Sequence, residues 1–389
     1  MRLLNCCKVS ITLTALIVLG FAPPKAQAAL LVNSNGTNSV LEYNETTGSF
    51  IKAFVPSSSG GLKRPTDLTF GPDGNLYVSS GDTNSVLEYN GTTGSFIKTF
   101  ISSGSGGLEF PIDLAFGPDG NLLVVSNGTS SILKYNGTTG AFISTFVPAG
   151  SGGLSQTRGM RFGGDGNLYV DSYGSNSVLE YDGTKGDFVK TIISSGSGGL
   201  NGPAGVAVLS NGNLYNTGAD SNSIVEYNRT TGTINTFVSS GSGGLSTPFG
   251  LTLGPDHNIY VNSSGNNSVL KYSGTTGDFI STFVPSNSGG LERPTGLTFS
   301  PATSVPEPAS GWSMLAFGAF LEALLVLKHK QKQKKSASRD MNFVGTVSGT
   351  IKSIARKTIW SQPAIPPNRD IKSEKEAAIR SVVDNFSRA

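Results

Sequence analysis

The side chains best suited to bind a ligand lie in six short segments that recur along the chain. Each segment follows a Gly-Gly-Leu triplet and leads into a predicted strand, and its residues change between copies while the flanking sequence stays nearly constant. Exposed loops also vary without selection, so neutral drift is the alternative explanation. Charged and aromatic residues in these segments are the candidate ligand-binding residues: Arg64, Asp67, Phe110, Asp113, Arg158, Phe249 and Arg293.

These residue types allow two kinds of chemistry. Arginine and phenylalanine supply charge and stacking surfaces for a sugar, a peptide or an acidic polymer. Asp67 and Asp113 occupy equivalent positions in adjacent copies. Carboxylates placed in this way can bind a cation, and a bound cation can assist hydrolysis. The residues therefore leave open a binding module and a metal-dependent enzyme.

Other catalytic groups are scarce. Cys6 and Cys7 lie within the first ten residues, and His257 is the only histidine of the repeats. His257 replaces a turn glycine at the end of the repeat opposite the candidate residues, too far to act there as a general base. The Ser-Gly-Ser-Gly-Gly-Leu stretches lack the Lys-Ser/Thr of a phosphate loop, and the Asp-Gly-Asn turns lack the carboxylates of a calcium loop. The sequence predicts no catalytic residue, no metal site and no cofactor.

A repeat of 45 or 46 residues, marked by Asn75, Asn121, Asn167, Asn213 and Asn258, positions the candidate residues. Periods of this size are typical of propellers and solenoids. Each copy predicts four strands joined by tight turns, and the Asn-Gly pairs favour primed hairpin turns. In the first complete copy the predicted strands are 67–70, 76–79, 85–89 and 96–100.

The phase of the repeat distinguishes a closed ring from a solenoid. After residue 28 the chain opens on a second-strand sequence, Leu30 to Ser34, and its repeats end on a first-strand sequence, Gly296 to Phe299. One blade must therefore combine strands from both ends of the repeat region. A solenoid begins and ends on whole capped repeats, whereas a closed ring protects its edges. We predict an all-β fold, a six-bladed β-propeller over residues 29–303.

The repeat unit resembles the NHL repeat. The matching features are a Gly-Leu-Thr-Phe strand, a Pro-Asp-Gly-Asn turn, Leu-Tyr-Val-Ser-Ser, and a loop ending in Asn-Ser before Val-Leu-Glu-Tyr. The resemblance implies a propeller fold that binds ligands or partners. It implies no particular reaction, because this fold hosts many functions. Streptogramin-lyase-like and gluconolactonase-like propellers resemble the same architecture, which keeps an enzyme as the alternative.

Both ends of the chain resemble targeting signals. Residues 1–28 combine Arg2 and Lys8, an apolar stretch and an Ala-Gln-Ala site, which predicts a cleaved secretory signal peptide, with an uncleaved anchor as the alternative. The motif Pro306, Glu307 and Pro308 precedes an apolar segment at 311–327 and a basic cluster at 328–335. This order resembles the PEP-CTERM sorting signal of bacterial exported proteins. The resemblance implies recognition by an exosortase-like sorting machinery.

The apolar segment is long enough to form a single transmembrane helix. It departs from the family in carrying Glu322, and the chain continues through residues 336–389. That extension contains a capping box at 373–376 followed by apolar residues at helical spacing, which predicts a short amphipathic helix within a mostly disordered tail. We expect an exported protein at the outer face of the envelope or secreted, first anchored in the membrane by the C-terminal helix.

The charge distribution disfavours nucleic acid as a partner. Residues 29–303 carry 12 basic and 19 acidic side chains, a net charge of −7, and the basic excess belongs to the two ends. A negative body would repel a phosphate backbone. We therefore predict an envelope-associated, non-catalytic propeller that binds an extracellular polysaccharide or envelope protein. A metal-dependent lyase or lactonase-like enzyme is the alternative.

Overall fold

The computed structural model describes residues 28–301, which form twenty-four strands in six antiparallel sheets. The predicted sorting signal at 304–335, the tail at 336–389 and nearly all of the predicted signal peptide lie outside the described residues. The first half of the strands are β1 (Ala29–Ser34), β2 (Ser39–Asn44), β3 (Phe50–Val55), β4 (Pro65–Phe70), β5 (Leu76–Ser80), β6 (Ser85–Tyr89), β7 (Phe96–Ile101), β8 (Pro111–Phe116), β9 (Leu122–Ser126), β10 (Ser131–Tyr135), β11 (Phe142–Val147) and β12 (Thr157–Phe162). The second half are β13 (Leu168–Ser172), β14 (Ser177–Tyr181), β15 (Phe188–Ile193), β16 (Pro203–Val208), β17 (Leu214–Gly218), β18 (Ser223–Tyr227), β19 (Ile234–Val238), β20 (Pro248–Leu253), β21 (Ile259–Ser263), β22 (Ser268–Tyr272), β23 (Phe279–Val284) and β24 (Pro294–Phe299).

The sheets close into the predicted six-bladed propeller. Blade 1 has the strand order β24-β1-β2-β3, and blades 2 to 6 follow as β4–β7, β8–β11, β12–β15, β16–β19 and β20–β23. In blade 1, Leu30 lies opposite Phe299 and Val32 opposite Leu297 in an antiparallel pair. The first strand of every blade contacts the first strands of both neighbours. The ring is therefore closed by strands from the two ends of the repeat region, as the phase of the repeat predicts.

Apolar side chains from neighbouring blades meet in the core. The second and third strands are almost wholly buried, and residues such as Leu76, Val78 and Leu87 pack with Val55 and Leu62 of the preceding blade. Strands that carry apolar, β-branched and aromatic residues along their whole length are suited to positions where both faces of the sheet are covered. The predicted strands of the first complete repeat agree with β4 to β7 within two residues at each end.

In five of the six blades, a buried tyrosine forms a hydrogen bond with the preceding blade. Its hydroxyl donates to a serine carbonyl in a short 3-10 turn, as in Tyr89 to Ser59 at 2.8 Å and Tyr135 to Ser105 at 2.7 Å. The bond satisfies a hydroxyl that lies in an apolar core. The turns that accept these five bonds are Ser59–Gly61, Ser105–Gly107, Ser151–Gly153, Ser242–Gly244 and Ser288–Gly290, and the other 3-10 turns are Ser197–Gly199, Gly81–Thr83 and Ser264–Asn266.

The Asn-Gly pairs do not form the primed turns that the sequence predicts. Asn90 instead accepts hydrogen bonds from the backbone of Thr92 and Thr93 at 3.0 and 2.9 Å, and Gly94 takes the positive φ of 72°. Gly91 is required for another reason, since a Cβ there would lie 1.8 Å from the carbonyl oxygen of Gly74. The turn is thus a six-residue loop, residues 90–95, capped by an asparagine side chain.

Within residues 28–301 there is no helix of the length and apolarity that a membrane crossing requires. The segment 311–327, predicted as a transmembrane helix, lies beyond that range.

Candidate ligand-binding site

The first strands surround a cavity of about 340 Å³ at the mouth of the central channel. The structure brings all seven candidate residues into its lining: Arg64, Asp67, Phe110, Asp113, Arg158, Phe249 and Arg293. Pockets that hold small ligands begin at about this volume. The cavity is therefore large enough for one side chain or a small organic group, while a binding role for its residues stays a prediction.

The rim of the cavity has a left-handed backbone. Arg64 and Phe110 have φ of 52° and 48°, and their backbone N–H groups donate to the side-chain oxygens of Asn38 and Asn84 at 2.7 and 2.8 Å. The same conformation recurs at Gln156, Thr247 and Arg293. Bulky residues adopt positive φ only where surrounding contacts impose it. The repeated Asn of the Asn-Ser loops therefore fixes the rim residue of the next blade.

Arg158 is held between two aromatic rings. Its guanidinium carbon lies 3.7 Å from the ring centre of Tyr173 and 5.3 Å from that of Phe249. Burial lowers its pKa, although the charges of Asp220 and Asp171 oppose this effect. The guanidinium makes no hydrogen bond or ion pair with any residue between 28 and 301. Its N–H donors are thus available in the cavity, on a cation that stacking has already oriented.

The neighbouring blade supports this stack. The Tyr173 hydroxyl is hydrogen-bonded to Asp220, which raises the pKa of Tyr173. Gly202, with φ of 67°, makes room for the pair: a Cβ there would lie 2.5 Å from Asp220 and 2.9 Å from Tyr173. Five other blades carry a larger residue at this rim position. The glycine therefore permits the contact that holds Tyr173 against Arg158.

A buried polar pair lies in the strands behind Arg158. The side-chain amide of Asn216 donates to Oδ1 of Asp171 at 2.7 Å, and neither residue is exposed. Oδ2 of Asp171 has no partner among the described residues. Burial raises the pKa of Asp171, and the positive charge of Arg158 opposes that rise. The corresponding residue to Asn216 is valine in every other blade: Val32, Val78, Val124, Val170 and Val261.

Several residues around Arg158 differ from their counterparts in the other copies. Those that lie where blades 4, 5 and 6 meet are Arg158, Asp171, Tyr173, Gly202, Asn216 and Phe249. Most of these positions vary in every copy, so that Phe110, Ile112 and Val125 of blade 3 are also unique at theirs. Contacts are what relate the residues of this group, because Arg158 packs against Tyr173 and Phe249, and Asn216 is hydrogen-bonded to Asp171.

A second polar group lies in the channel wall, at Asp67 and Asp113. The two carboxyl groups are hydrogen-bonded to each other, and Oδ2 of Asp113 also accepts from the Met160 backbone at 2.8 Å. Burial raises the pKa of both, the charge of Asp113 raises that of Asp67 further, and Arg161 opposes these effects. Two carboxylates this close share a proton. The other blades have glycine at this position: Gly159, Gly205, Gly250 and Gly296.

An unpaired amide lies beside this carboxyl pair. Asn33 is fully buried, and neither side-chain atom that can hydrogen-bond has a partner among the described residues. A Cβ built on Gly296 would lie 2.5 Å from Oδ1 of Asp67 and 2.9 Å from Nδ2 of Asn33, so both side chains pack against the backbone of Gly296. Buried amides are normally satisfied by protein, water or ligand. Residues 28–301 contain no group of three or more His, Cys, Asp or Glu side chains arranged to hold a metal ion.

Several solved structures share this architecture. The chain matches a structure of a nidogen/laminin complex with a TM-score of 0.56 at 17% identity, over 71% of this chain and 99% of that one. It matches a protein of unknown function from Bacteroides caccae with a TM-score of 0.53 at 15% identity, over 70% and 99%. A streptogramin B lyase matches with a TM-score of 0.46 at 18% identity, over 60% and 72%. The likeness shows the fold alone. No protein-family model and no curated protein matches the chain.

The sequence identifies the rim but not Arg161, which lines the same cavity, nor the buried layer behind it, which contains Asn33, Asp171 and Asn216. These four residues are not candidates from the sequence, because their neighbours come from other blades. A comparison of copies carries the signal, since Asp171 and Asn216 replace residues that are uncharged or apolar elsewhere. His257 lies in the β20–β21 turn at the far end of the blade, and its φ of 61° is that of the turn glycine it replaces.

Proposed function

We propose that this propeller is a non-catalytic binding module that holds an anionic group of an extracellular partner on Arg158. The observation that carries the proposal is a guanidinium stacked between Tyr173 and Phe249 that makes no hydrogen bond or ion pair with any described residue, although Asp220 and Asp171 lie within range of its charge. A partly buried cation without a hydrogen-bond acceptor is costly for the fold. A carboxylate from a ligand would satisfy it with two parallel hydrogen bonds.

The surroundings of Arg158 are suited to binding more than to turnover. The stack fixes the plane of the guanidinium before the ligand arrives, which lowers the entropy lost on binding. Arg293 adds positive charge at the rim of the same cavity, whereas the charge of Arg64 there is offset by an ion pair with Asp82 at 3.5 Å. A polysaccharide or a protein of the envelope would each offer carboxylates, and one propeller of similar fold was solved in a nidogen/laminin complex.

The test uses full-length protein and two carboxylate polymers, poly-L-glutamate and polygalacturonate. Replacement of Arg158 by Met keeps the apolar stem and removes the charge, and affinity should fall roughly 10- to 100-fold because a charge-assisted hydrogen bond contributes about 1.5–3 kcal/mol. Lys185→Met is the matched control, since Lys185 is exposed on the β14–β15 turn away from the mouth. Binding that is equally weakened by both variants would mean diffuse charge attraction and would overturn the proposal.

Export and sorting complete the proposed function. The motif at 306–308 and the segment at 311–327 support delivery to the envelope and removal of the tail by an exosortase-like enzyme. Mass spectrometry of the protein from the native envelope should find a C-terminus near residue 308. A mature protein that retains residue 389 would contradict tail removal and leave the binding proposal untouched.

A second candidate function is supported by the Asp67 and Asp113 pair. A carboxyl group with a raised pKa in a cavity is a candidate general acid. A lyase or lactonase-like enzyme would convert its ligand, whereas a binding module returns it intact. Mass analysis of a bound oligosaccharide after prolonged incubation separates the two, and a product that disappears with Asp113→Asn would favour the enzyme.

A further inference from the structure

Two groups of polar side chains line the cavity, and their chemistry differs. Arg158 offers N–H donors and a full positive charge, while Asp67 and Asp113 offer a carboxyl pair with both a donor and acceptors. The face of Phe249 lies beside Arg158. A ligand that satisfies the whole cavity must therefore combine one anionic group with neutral groups that both donate and accept hydrogen bonds.

From this arrangement we infer that the ligand is an acidic sugar residue, whose carboxylate lies on Arg158 and whose hydroxyls reach Asp67 and Asp113. The inference rests on the proposed function and specifies its ligand class. A hydroxyl both donates and accepts, which matches a carboxyl pair that shares a proton. An aromatic face packs well against the C–H groups of a sugar ring. A cavity of about 340 Å³ has room for a single ring with its substituents.

Arg161 argues against a ligand ammonium at the same place. It lines the cavity and already exerts a favourable charge on both Asp67 and Asp113. A second cation beside the pair would be repelled by Arg161, whereas a neutral hydroxyl would not. An amino acid zwitterion is therefore a poorer match to the cavity than a uronic acid.

The experiment measures binding of trigalacturonate, its fully methyl-esterified form and poly-L-glutamate to the full-length protein by calorimetry. Trigalacturonate should bind, and esterification or Arg158→Met should each reduce its affinity at least about tenfold. Asp67→Ala should reduce affinity for trigalacturonate about tenfold as well and leave any binding of poly-L-glutamate unchanged. Asp278→Ala, at an exposed residue of the β22–β23 turn, is the matched control.

The outcomes separate this inference from the proposed function. If poly-L-glutamate binds through Arg158 while trigalacturonate does not bind, the ligand class is wrong and the proposed anion site stands. If no probe depends on Arg158, both fail. Asp67→Ala is compared with wild type by thermal unfolding, and Asp67→Asn provides a second variant of nearly equal shape. Unchanged trigalacturonate affinity in both variants would also overturn the hydroxyl contact.

Discussion

At the scale of single residues, the pair of Asp171 and Asn216 is the least expected feature of the core. A fully buried carboxyl group is costly, and here one amide is its only side-chain hydrogen-bond partner. Blades with valine at the position of Asn216 show that the fold does not require the pair. Because Asp171 lies in the field of Arg158, we infer that the pair serves the ligand site at the expense of stability.

A double-mutant cycle tests this view of the pair. Asn216→Val removes the donor and should lower the free energy of unfolding by about 1–3 kcal/mol, because it leaves the carboxyl group unpaired. Asp171→Val combined with Asn216→Val should restore or exceed wild-type stability, since both polar groups are gone. Urea unfolding at pH 7 measures all of these variants. Additive losses in the cycle would show that the two side chains do not depend on each other.

The same variants should change how stability depends on pH. The pKa of Asp171 in the folded state is raised by burial, so the folded protein binds its proton more tightly than the unfolded chain does. Its contribution is therefore favourable at low pH and is lost as pH rises from about 4 through the folded-state pKa. The double variant should show a flatter stability curve over this range. An unchanged slope would mean that Asp171 is not the titrating group.

At the scale of elements, the loops between second and third strands position the rim of the following blade. Asn84 has a φ of 51° and accepts the backbone N–H of Phe110 at 2.8 Å. Blade 3 has serine at the equivalent position, and Ser130 accepts from Gln156 at 2.9 Å with a φ of 53°. This position therefore requires a short side chain with an oxygen acceptor and a backbone in the left-handed conformation. Asparagine is the residue that most often meets both requirements.

Substitutions at Asn84 test this role. Asn84→Ala removes the acceptor and the preference for positive φ, and should lower the free energy of unfolding by about 1–2 kcal/mol. Asn84→Ser copies the arrangement of blade 3 and should recover most of that loss. Thermal unfolding compares the variants. Equal destabilisation by alanine and serine would contradict the proposed role of the side-chain oxygen.

An element could be predicted where the contacts that define it join residues close in sequence or follow from the repeat. The strands and the ring closure could be predicted because they depend on local patterns and on the phase of the repeat. The turn at Asn90 was predicted with the wrong geometry, because the deciding contact is the approach of Gly91 to Gly74 from another turn. The pairing of Asp171 with Asn216, 45 positions later, depends on the packing of two blades and was missed.

At the scale of the whole molecule, closure of the ring depends on β24. This strand covers β1 and also contacts the first strands of blades 2 and 6. Leu297 and Phe299 of β24 pack into a core cluster with Leu30 and Val32. A propeller without this strand would have an open sheet edge and an open core in one blade. The closing strand is therefore expected to stabilise every blade through its neighbours.

Two truncations test the closure. A protein ending at residue 301 keeps β24, and its thermal unfolding should remain a single cooperative transition. A protein ending at residue 293 loses β24, and its stability should fall by roughly 3 kcal/mol or more from Leu297 and Phe299 alone, with further loss from the exposed edge of β1. It should also bind a hydrophobic dye, because core side chains of blades 1 and 6 become accessible. If both truncations unfold at the same temperature, the blades are held together by contacts other than the closing strand, and the ring is stable without its closure.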